Sequence, residues 1–258
     1  MSAALRPDLA LIARTVRQGA RVLDVGCGEG ALMAALRDNA GVDARGLEID
    51  GSNVAAAVAR GLSVVQGDAD TDLRYYPDAS FDYAILSQTL QTTRRPDLVV
   101  EELLRIGGQA FVSFPNFAHW RGRLSLLWGG RMPVTRLLPD TWYDTLNIHH
   151  VTVDDFRARV KERGWTIDGQ WFLKGDRDTT HANANLFAEH AVFLLRKLPR
   201  GLFDPHVPVA DVECRLAAKV EHPRQAGPAA EGDAQVAAAR GVGEGEGVKG
   251  RGRDRLLR

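Results

Sequence analysis

The sequence is poor in cysteine, in net charge and in long apolar runs, and each shortage excludes a class of protein. Two cysteines in 258 residues cannot form a disulfide framework, so we expect a protein of the reducing cytoplasm. Thirty-three basic residues balance thirty-three acidic ones, so no net charge attracts the chain to nucleic acid or to an anionic membrane. No stretch approaches the roughly 18 consecutive apolar residues of a membrane span, and the charged N-terminal residues do not predict a signal peptide.

Aromatic residues are missing from the C-terminal part of the chain. All eighteen lie at or before Phe203, and the stretch 223–258 has eight glycines, seven alanines and only five larger aliphatic residues. Such a composition buries too little apolar surface to offset the entropy that is lost on ordering. The sequence therefore predicts a folded domain at 1–200, an exit linker at 201–222 and a disordered tail at 223–258.

Within the predicted domain, short β-branched runs alternate with segments of helical periodicity. The predicted strands are 21–25, 44–49, 63–66, 81–87, 109–114, 165–173 and 189–196. Ser52 is the candidate N-cap of the helix that follows the second strand. Strands separated by helices form a doubly wound, mostly parallel sheet with ligands at the carboxyl ends of the strands. The last two strands lack a helix between them, so we expect the final strand to be antiparallel.

A glycine-rich loop, DVGCGEG at 24–30, follows the first predicted strand. Its glycines let the chain turn tightly and let a ligand approach the backbone at a helix N-terminus. The loop alone also fits a dinucleotide-binding pattern or a simple tight turn. Carboxylates at the ends of the first three strands add a second observation; they are Asp24, Glu48, Asp50, Asp68 and Asp70.

These carboxylates fit S-adenosylmethionine better than a dinucleotide. Adenosine needs acceptors for its ribose hydroxyls and its amino group, and the ammonium and sulfonium groups of the methionine end favour acidic surroundings. A pyrophosphate above the loop would instead be repelled by Asp24 and Glu29. Helix capping or plain solvent exposure would explain one such acid, but it is a weaker explanation for acids on successive strand ends.

Four strings stand at these strand ends in the order VLDVGCGEG, GLEID, QGDAD and FDYAILSQTLQ. They resemble the first four motifs of class I methyltransferases, whose sheet has seven strands and an antiparallel last strand. Further strings are unusual for that class: LRPDLALIA, LSQTLQ, SFPNFAHWRGRL, GGRMPVT, WYDTLNIHH and NLFAEHAVFLLRK. These resemble the methionine biosynthesis protein MetW family, from about residue 5 to 197. Leu146 stands where that family usually has proline, and nothing after about residue 200 resembles it.

The resemblance implies a role for each matching residue at the strand ends. The implied cofactor-binding residues are Asp24, Gly26, Gly28, Gly30, Glu48, Ile49, Asp68, Ser87 and Gln88. Among them, Glu48 would bind the ribose, Ile49 would flank the adenine ring and Asp68 would meet its amino group. Ser87 and Gln88, at the tip of the fourth strand, would lie near the methyl-donor end.

No catalytic set is visible in the sequence. The fourth strand ends in Ser-Gln-Thr, unlike the N-P-P-Y of amino-methylating enzymes, but methyl transfer can proceed by positioning alone, so methylation is not excluded. The adjacent His149 and His150 would point in opposite directions on an extended segment, and we therefore expect no metal site.

Segment 115–150 is long for a connection and is rich in tryptophan, tyrosine and arginine, the residue types enriched at binding hot spots. It is either a substrate lid or a protein-binding face. The candidate partner-binding residues are Trp120, Arg121, Arg123, Trp142 and Tyr143. Packing of Trp120 within its own helix is an equally open alternative.

Three functions compete at this point. The resemblance implies an accessory role in methionine biosynthesis beside the homoserine O-acyltransferase MetX. None of the seven serines stands in a G-x-S-x-G nucleophile elbow, so a partner would have to supply the acyl transfer. The second function is methylation of a small molecule by S-adenosylmethionine. An NAD(P)-linked oxidoreductase is the third and least favoured.

Overall fold

The computed structural model describes residues 5–135, 138–180 and 182–197. In this part of the chain the strands are β1 (Arg21–Val25), β2 (Asp43–Glu48), β3 (Ser63–Gln66), β4 (Phe81–Ser87), β5 (Gly107–Pro115), β6 (Trp165–Lys174), β7 (Arg177–Asp178) and β8 (His190–Lys197). The helices are α1 (Pro7–Thr15), α2 (Ala31–Ala40), α3 (Gly51–Ala59), α4 (Pro96–Ile106), α5 (Trp120–Gly129), α6 (Val153–Glu162) and α7 (Ala184–Phe187). Single 3-10 turns lie at Leu73–Tyr75 and Leu90–Thr92.

All the strands form one sheet in the order β3-β2-β1-β4-β5-β8-β6-β7. The pairs β2–β3, β1–β2, β1–β4 and β4–β5 are parallel, whereas β8 is antiparallel to both β5 and β6. The predicted α/β fold with a mostly parallel sheet and an antiparallel last strand is therefore confirmed. The two-residue β7, which pairs with β6, adds an eighth strand to the seven that the sequence predicts.

The sheet is buried on both faces because its strands carry apolar residues at successive positions. On β1, Leu23 and Val25 face a cluster that includes residues of α4 and α6. Val22 faces the opposite cluster, to which α1 and α2 contribute. Burial on both faces is typical of parallel strands covered by crossover helices.

The helix after β2 begins two residues earlier than an N-cap at Ser52 would place it. Asp50 is its N-cap, and its Oδ1 accepts hydrogen bonds from the backbone N–H groups of Ser52 at 2.7 Å and Asn53 at 3.3 Å. The prediction of Ser52 as the N-cap was therefore wrong. A carboxylate at this position satisfies two amides that the first turn leaves unpaired, which is the physical basis of capping.

The order of the sheet determines where a ligand can bind. Because β1 is flanked by β2 on one side and by β4 on the other, the connections that leave their carboxyl ends diverge and open a crevice. The glycine loop at 26–30 lies at this crevice, between β1 and α2.

The predicted linker 201–222 and tail 223–258 lie outside the described residues. Within the described part of the chain, no helix is both long enough and apolar enough to cross a bilayer.

Candidate functional site

The glycine loop has a backbone conformation that side chains rarely tolerate. Gly26 and Gly28 have φ values of +71° and +54°. A Cβ atom on Gly26 would lie 2.4 Å from Oγ1 of Thr89, so this glycine lets the loop pack against the end of β4. A Cβ on Gly28 would meet no atom within 4 Å, and the space above this residue is open to a ligand.

Gly30 has a packing role that the sequence did not predict. It is the N-cap of α2, and a Cβ there would lie 2.3 Å from Cδ1 of Leu62. Gly30 lines neither of the two cavities beside the loop. The lack of a side chain at Gly30 allows the start of α2 to pack against Leu62.

Glu48, at the end of β2, stabilises the glycine loop by accepting a hydrogen bond from its backbone. Its Oε2 accepts a hydrogen bond from the N–H of Gly28 at 2.7 Å, and its Oε1 accepts one from the N–H of Asp50 at 3.0 Å. The side chain is buried and, like Gly30, it lines neither of the two cavities beside the loop. Each carboxylate oxygen can accept a second hydrogen bond, so Glu48 retains acceptor capacity for a ligand's hydroxyl groups.

Asp24, at the end of β1, is a buried acid with a shifted pKa. Burial raises the pKa of Asp24 to about 7; the positive charge of Arg6 opposes this rise, and the negative charges of Glu48 and Asp8 add to it. An acid that titrates near neutrality at the edge of a cavity is a functional-site candidate. A cationic ligand beside Asp24 would stabilise its ionised form.

One cavity of about 510 Å³ lies on the β2 and β3 side of the loop. The exposed side chain of Ile49 and the predicted Asp68 line it, together with Gly26. The Oδ1 of Asp68 accepts a hydrogen bond from the N–H of Asp70 at 2.8 Å. Asp70 itself accepts hydrogen bonds from the N–H groups of Arg94 and Arg95, so it fixes the start of α4.

A second cavity, of about 280 Å³, lies on the other side of the loop and shares Gly26 with the first. Asp24, Gly28 and Ser87 line it, as do Arg6 and Leu9 from the N-terminal segment. The two cavities share Gly26 as a lining residue, and we refer to them together as the strand-end cleft. The structure thus brings Asp24, Gly26, Gly28, Ile49, Asp68 and Ser87 to the walls of this cleft.

Asp8, which the sequence analysis missed, lies behind Ser87. It is 1% exposed, and the hydroxyls of Ser87 and Ser113 each donate a hydrogen bond to its Oδ2 at 2.8 Å. The amide of Gln88 adds a longer one, at 3.4 Å. Burial alone would raise the pKa of Asp8, but the charge of Arg6, the two hydroxyls and His190 together hold it below its usual value.

A sequence feature could have identified Asp8. It shares one face of α1 with the buried Leu11 and Ile12, three and four residues further on. An acid on the apolar face of a helix has to find hydrogen-bond partners inside the protein.

Gln88, at the tip of β4, has a strained backbone. Its φ is +52°, which is uncommon for a residue with a side chain. Its N–H donates to the carbonyl of Ser113 at 2.9 Å, and its side-chain amide contacts Nδ1 of His190 at 3.3 Å. Neither cavity is lined by Gln88, so its contacts lie within the protein.

Cys27, inside the glycine loop, is not a reactive thiol. Burial and the nearby charges of Asp24 and Glu48 raise its pKa to about 12. The thiolate, which is the nucleophilic form, is therefore scarce at neutral pH. Among the described residues, no group of three or more histidine, cysteine or acidic side chains is arranged to hold a metal ion.

The aromatic segment 115–150 extends from the fold next to the strand-end cleft. Helix α5 has no buried residue, and Trp128 and Trp142 are 78% and 75% exposed. The same segment reaches the cleft, where Thr145, Leu146 and Ile148 line the larger cavity. The N–H groups of Ile148 and His149 donate to the carbonyl of Gln91 and anchor the segment there.

Three of the candidate partner-binding residues lie at the start of α5. The guanidinium of Arg121 lies over the ring of Trp120, 5.3 Å from its centroid. The guanidinium of Arg123 makes hydrogen bonds within the protein. Its Nε donates to the carbonyl of Ala118 at 2.6 Å, and its Nη2 donates to that of Asn185 at 3.4 Å. Trp142 and Tyr143, in contrast, are both exposed.

Comparison with known proteins adds family information to this geometry. The family model described as "Methionine biosynthesis protein MetW" matches residues 6–195. A curated relative from Rhodopirellula baltica, the bifunctional methionine biosynthesis protein MetXA/MetW, is 32% identical over 205 residues, which cover 75% of this chain. The chain spans 33% of the length of that relative.

Solved structures of low sequence identity share the fold. A SAM-dependent methyltransferase from Archaeoglobus fulgidus has a TM-score of 0.52 at 15% identity, with 73% of this chain and 94% of that chain covered. A TehB-like SAM-dependent methyltransferase from Corynebacterium glutamicum has a TM-score of 0.52 at 16% identity, over 76% and 89%. The [4+2]-cyclase SpnF has a TM-score of 0.53 at 20% identity, over 73% and 80%. Since a cyclase shares it, the fold does not fix the reaction.

Proposed function

Because the chain belongs to the methionine biosynthesis protein MetW family, we propose that it binds S-adenosylmethionine and is an accessory or regulatory partner of the homoserine O-acyltransferase MetX. Family membership assigns the chain to methionine biosynthesis. Cofactor binding and partnership with the acyltransferase are the two further steps of the proposal. The low cysteine content and the biosynthetic role support a cytoplasmic location.

The strand-end cleft has the chemistry that S-adenosylmethionine requires. Asp24 would compensate the ammonium group, the open space above Gly28 would admit the ligand to the loop, and Glu48 would accept the ribose hydroxyls. The exposed Ile49 offers an apolar surface to the adenine ring, and Asp68 lies in the same cavity to accept from its amino group. The fold neighbours named as SAM-dependent support the same ligand.

The relative from Rhodopirellula baltica supports the partnership with the acyltransferase. This bifunctional relative joins MetXA and MetW in one polypeptide, and fusion places two activities at a high effective concentration. We infer that the present chain achieves the same proximity by binding a separate acyltransferase.

The observation that carries the proposal is the continuity of segment 141–148. It presents Trp142 and Tyr143 to solvent, and a few residues later it lines the strand-end cleft with Thr145, Leu146 and Ile148. Neighbouring exposed aromatic side chains support an interaction surface here, because tryptophan and tyrosine are enriched among the residues that dominate protein contacts. A partner on this surface would sit beside the bound cofactor.

The partner face that we propose consists of Leu127 and Trp128 on α5 with Trp142 and Tyr143, all of them exposed. Trp120 and Arg121 lie on the same helix and extend this face. Arg123 is a poor probe of the face, because its substitution would remove hydrogen bonds to Ala118 and Asn185 within the protein itself.

Binding of the purified acyltransferase to the immobilised chain tests the partner face. Substitution of both Trp128 and Trp142 by Ala should lower the affinity for the acyltransferase by roughly 30- to 1,000-fold. This is the range expected when aromatic anchors buried in an interface are truncated. Tyr75→Ala is the matched control, because Tyr75 is 77% exposed and lies outside segment 115–150. Wild-type affinity in the double variant, or no complex of the wild type at micromolar concentrations, would contradict the proposal.

A small-molecule methyltransferase is the second candidate, favoured by the SAM-dependent methyltransferases among the fold neighbours. The test is transfer of label from methyl-labelled S-adenosylmethionine to components of a cell extract. Transfer that Asp24→Ala abolishes would favour this function over the accessory role.

A further inference from the structure

The N-terminal segment supplies a cation to the smaller cavity of the strand-end cleft. Leu5, Arg6 and Leu9 form one wall of the smaller cavity, opposite the glycine loop. Of the described residues that line this cavity, Arg6 alone carries a positive charge, and Asp24 and Glu29 carry negative ones. The cavity therefore presents both signs of charge at the end where the methionine part of the ligand would lie.

The guanidinium of Arg6 is held in place by the protein. Its Nη2 donates to the hydroxyl of Ser87 at 2.8 Å, and its Nε lies 3.3 Å from Oδ1 of Asp8. Asp8 is in turn fixed by the hydroxyls of Ser87 and Ser113. A charge held by a buried network needs little reordering when a ligand arrives, which favours binding.

The guanidinium of Arg6 can also donate a further hydrogen bond to a ligand. Its side chain is 49% exposed, and its Nη1 makes no hydrogen bond to any residue that the structure describes. Guanidinium groups bind carboxylates with a geometry and strength that other cations do not match.

We propose that Arg6 binds the α-carboxylate of the ligand's amino-acid end, while Asp24 faces the ammonium group. This inference rests on the proposed binding of S-adenosylmethionine and adds a specificity determinant to it. The site then selects adenosyl ligands that carry a complete amino acid and discriminates against those that lack the carboxylate.

A purely structural role is the competing explanation for Arg6. In that case it would only neutralise the buried charge of Asp8, and its loss would lower thermal stability without changing the choice of ligand. Selectivity between ligands therefore separates the two explanations, whereas stability alone does not.

The experiment compares S-adenosylmethionine with decarboxylated S-adenosylmethionine, which keeps the adenosine, sulfonium and ammonium groups and lacks only the carboxylate. Titration calorimetry on the full chain should give a wild-type preference for S-adenosylmethionine of about 10- to 100-fold, the value of a charge-assisted hydrogen bond. Arg6→Gln should reduce this preference to about 3-fold or less, mainly by lowering the affinity for S-adenosylmethionine.

Two further variants complete the comparison. Arg6→Lys should keep part of the preference, because the charge is retained while the two-pronged geometry is lost. Arg14→Gln is the matched control on the same helix; Arg14 contacts Asp178 at the surface, 3.7 Å away, and its loss should leave the preference unchanged.

The outcomes distinguish this inference from the proposed function. Equal binding of the two ligands by the wild type, or an unchanged preference in Arg6→Gln, would overturn the role of Arg6 and leave cofactor binding intact. Failure of the wild type to bind either ligand would overturn the proposed cofactor role, and the inference with it.

Discussion

The carboxylate of Glu48 accepts a hydrogen bond from the backbone N–H of Gly28 at 2.7 Å, across the turn that joins β1 to α2. This bond joins the acid at the end of β2 to the loop glycine whose Cβ position is free of other atoms. Glu48 therefore shapes the loop, in addition to the ligand-binding role that we propose for it. The two roles can be separated by the choice of substitution.

We expect Glu48→Ala to weaken S-adenosylmethionine binding by about 1.5–3 kcal/mol, because a charge-assisted hydrogen bond is lost and the loop amide is left unpaired. Glu48→Gln keeps the shape and one acceptor oxygen, so its loss of affinity should be smaller. Titration calorimetry measures both. Unchanged affinity in a folded Glu48→Ala protein would refute the assignment of Glu48 to the ribose.

Cofactor affinity should depend on pH through Asp24, whose pKa burial raises to about 7. The ligand's ammonium favours the ionised carboxylate, so affinity should rise between pH 6 and pH 7.5, by at most about tenfold per pH unit. Asp24→Asn removes the titrating group and should flatten the profile. An equal slope in wild type and Asp24→Asn would show that another group is responsible.

Asp24 should also make folding stability depend on pH, but in the opposite direction: stability should fall as pH rises. Between about pH 4 and pH 7 the folded protein keeps a proton on Asp24 that the unfolded chain has released, so the free energy of unfolding should fall as pH rises through this range. Asp24→Asn should lack this component. Denaturant titrations of both proteins at pH 5 and pH 8 measure the difference.

Two glycines of the loop should respond differently to alanine. Gly28→Ala incurs only the cost of a left-handed backbone, about 1–2 kcal/mol, but places a methyl group where the ligand approaches. It should abolish binding while the melting temperature falls by a few degrees.

Gly26→Ala should instead be strongly destabilising, since its Cβ would lie 2.4 Å from Oγ1 of Thr89. Thr89→Ala, added as a second substitution, should restore part of the lost stability. Equal melting temperatures for Gly26→Ala and Gly28→Ala would contradict this account of the loop.

Cofactor and partner should be thermodynamically coupled, because segment 141–148 contributes both to the partner face and to the strand-end cleft. Saturating S-adenosylmethionine should change the affinity for the acyltransferase, and the acyltransferase should change cofactor affinity by the same factor. Glu48→Ala, which we expect to bind the cofactor weakly, should lose this response. Affinities that are unaltered in both directions would rule out feedback sensing by this route.

Removal of residues 205–258 should leave both the melting temperature and cofactor binding nearly unchanged. The composition of that stretch provides few residues for a core. Differential scanning calorimetry of the shortened and full chains makes the comparison. A fall of many degrees on truncation would show that the predicted domain boundary is misplaced.

Local pattern was sufficient to predict most of the fold. The largely apolar runs at 21–25 and 81–87 became β1 and β4 with the same bounds, because strands buried on both faces are rich in apolar residues. The glycine loop could also be predicted from the sequence, since left-handed backbone conformations favour glycine. The predicted N-cap was wrong by two residues, because Ser52 and Asp50 are both good caps and the choice depends on where the chain leaves β2.

By itself, the sequence determined the α/β class, the loop and the acids at the strand ends, because each follows from residue types that are close together along the chain. Tertiary structure alone decided which of those residues share a cleft. It brought Asp8 to Ser87 and Ser113 across 79 and 105 residues, joined Arg123 to the carbonyls of Ala118 and Asn185, and attached segment 141–148 to Gln91. Such contacts depend on how the sheet is assembled, and no local periodicity encodes a hydrogen bond between residues so far apart in the chain.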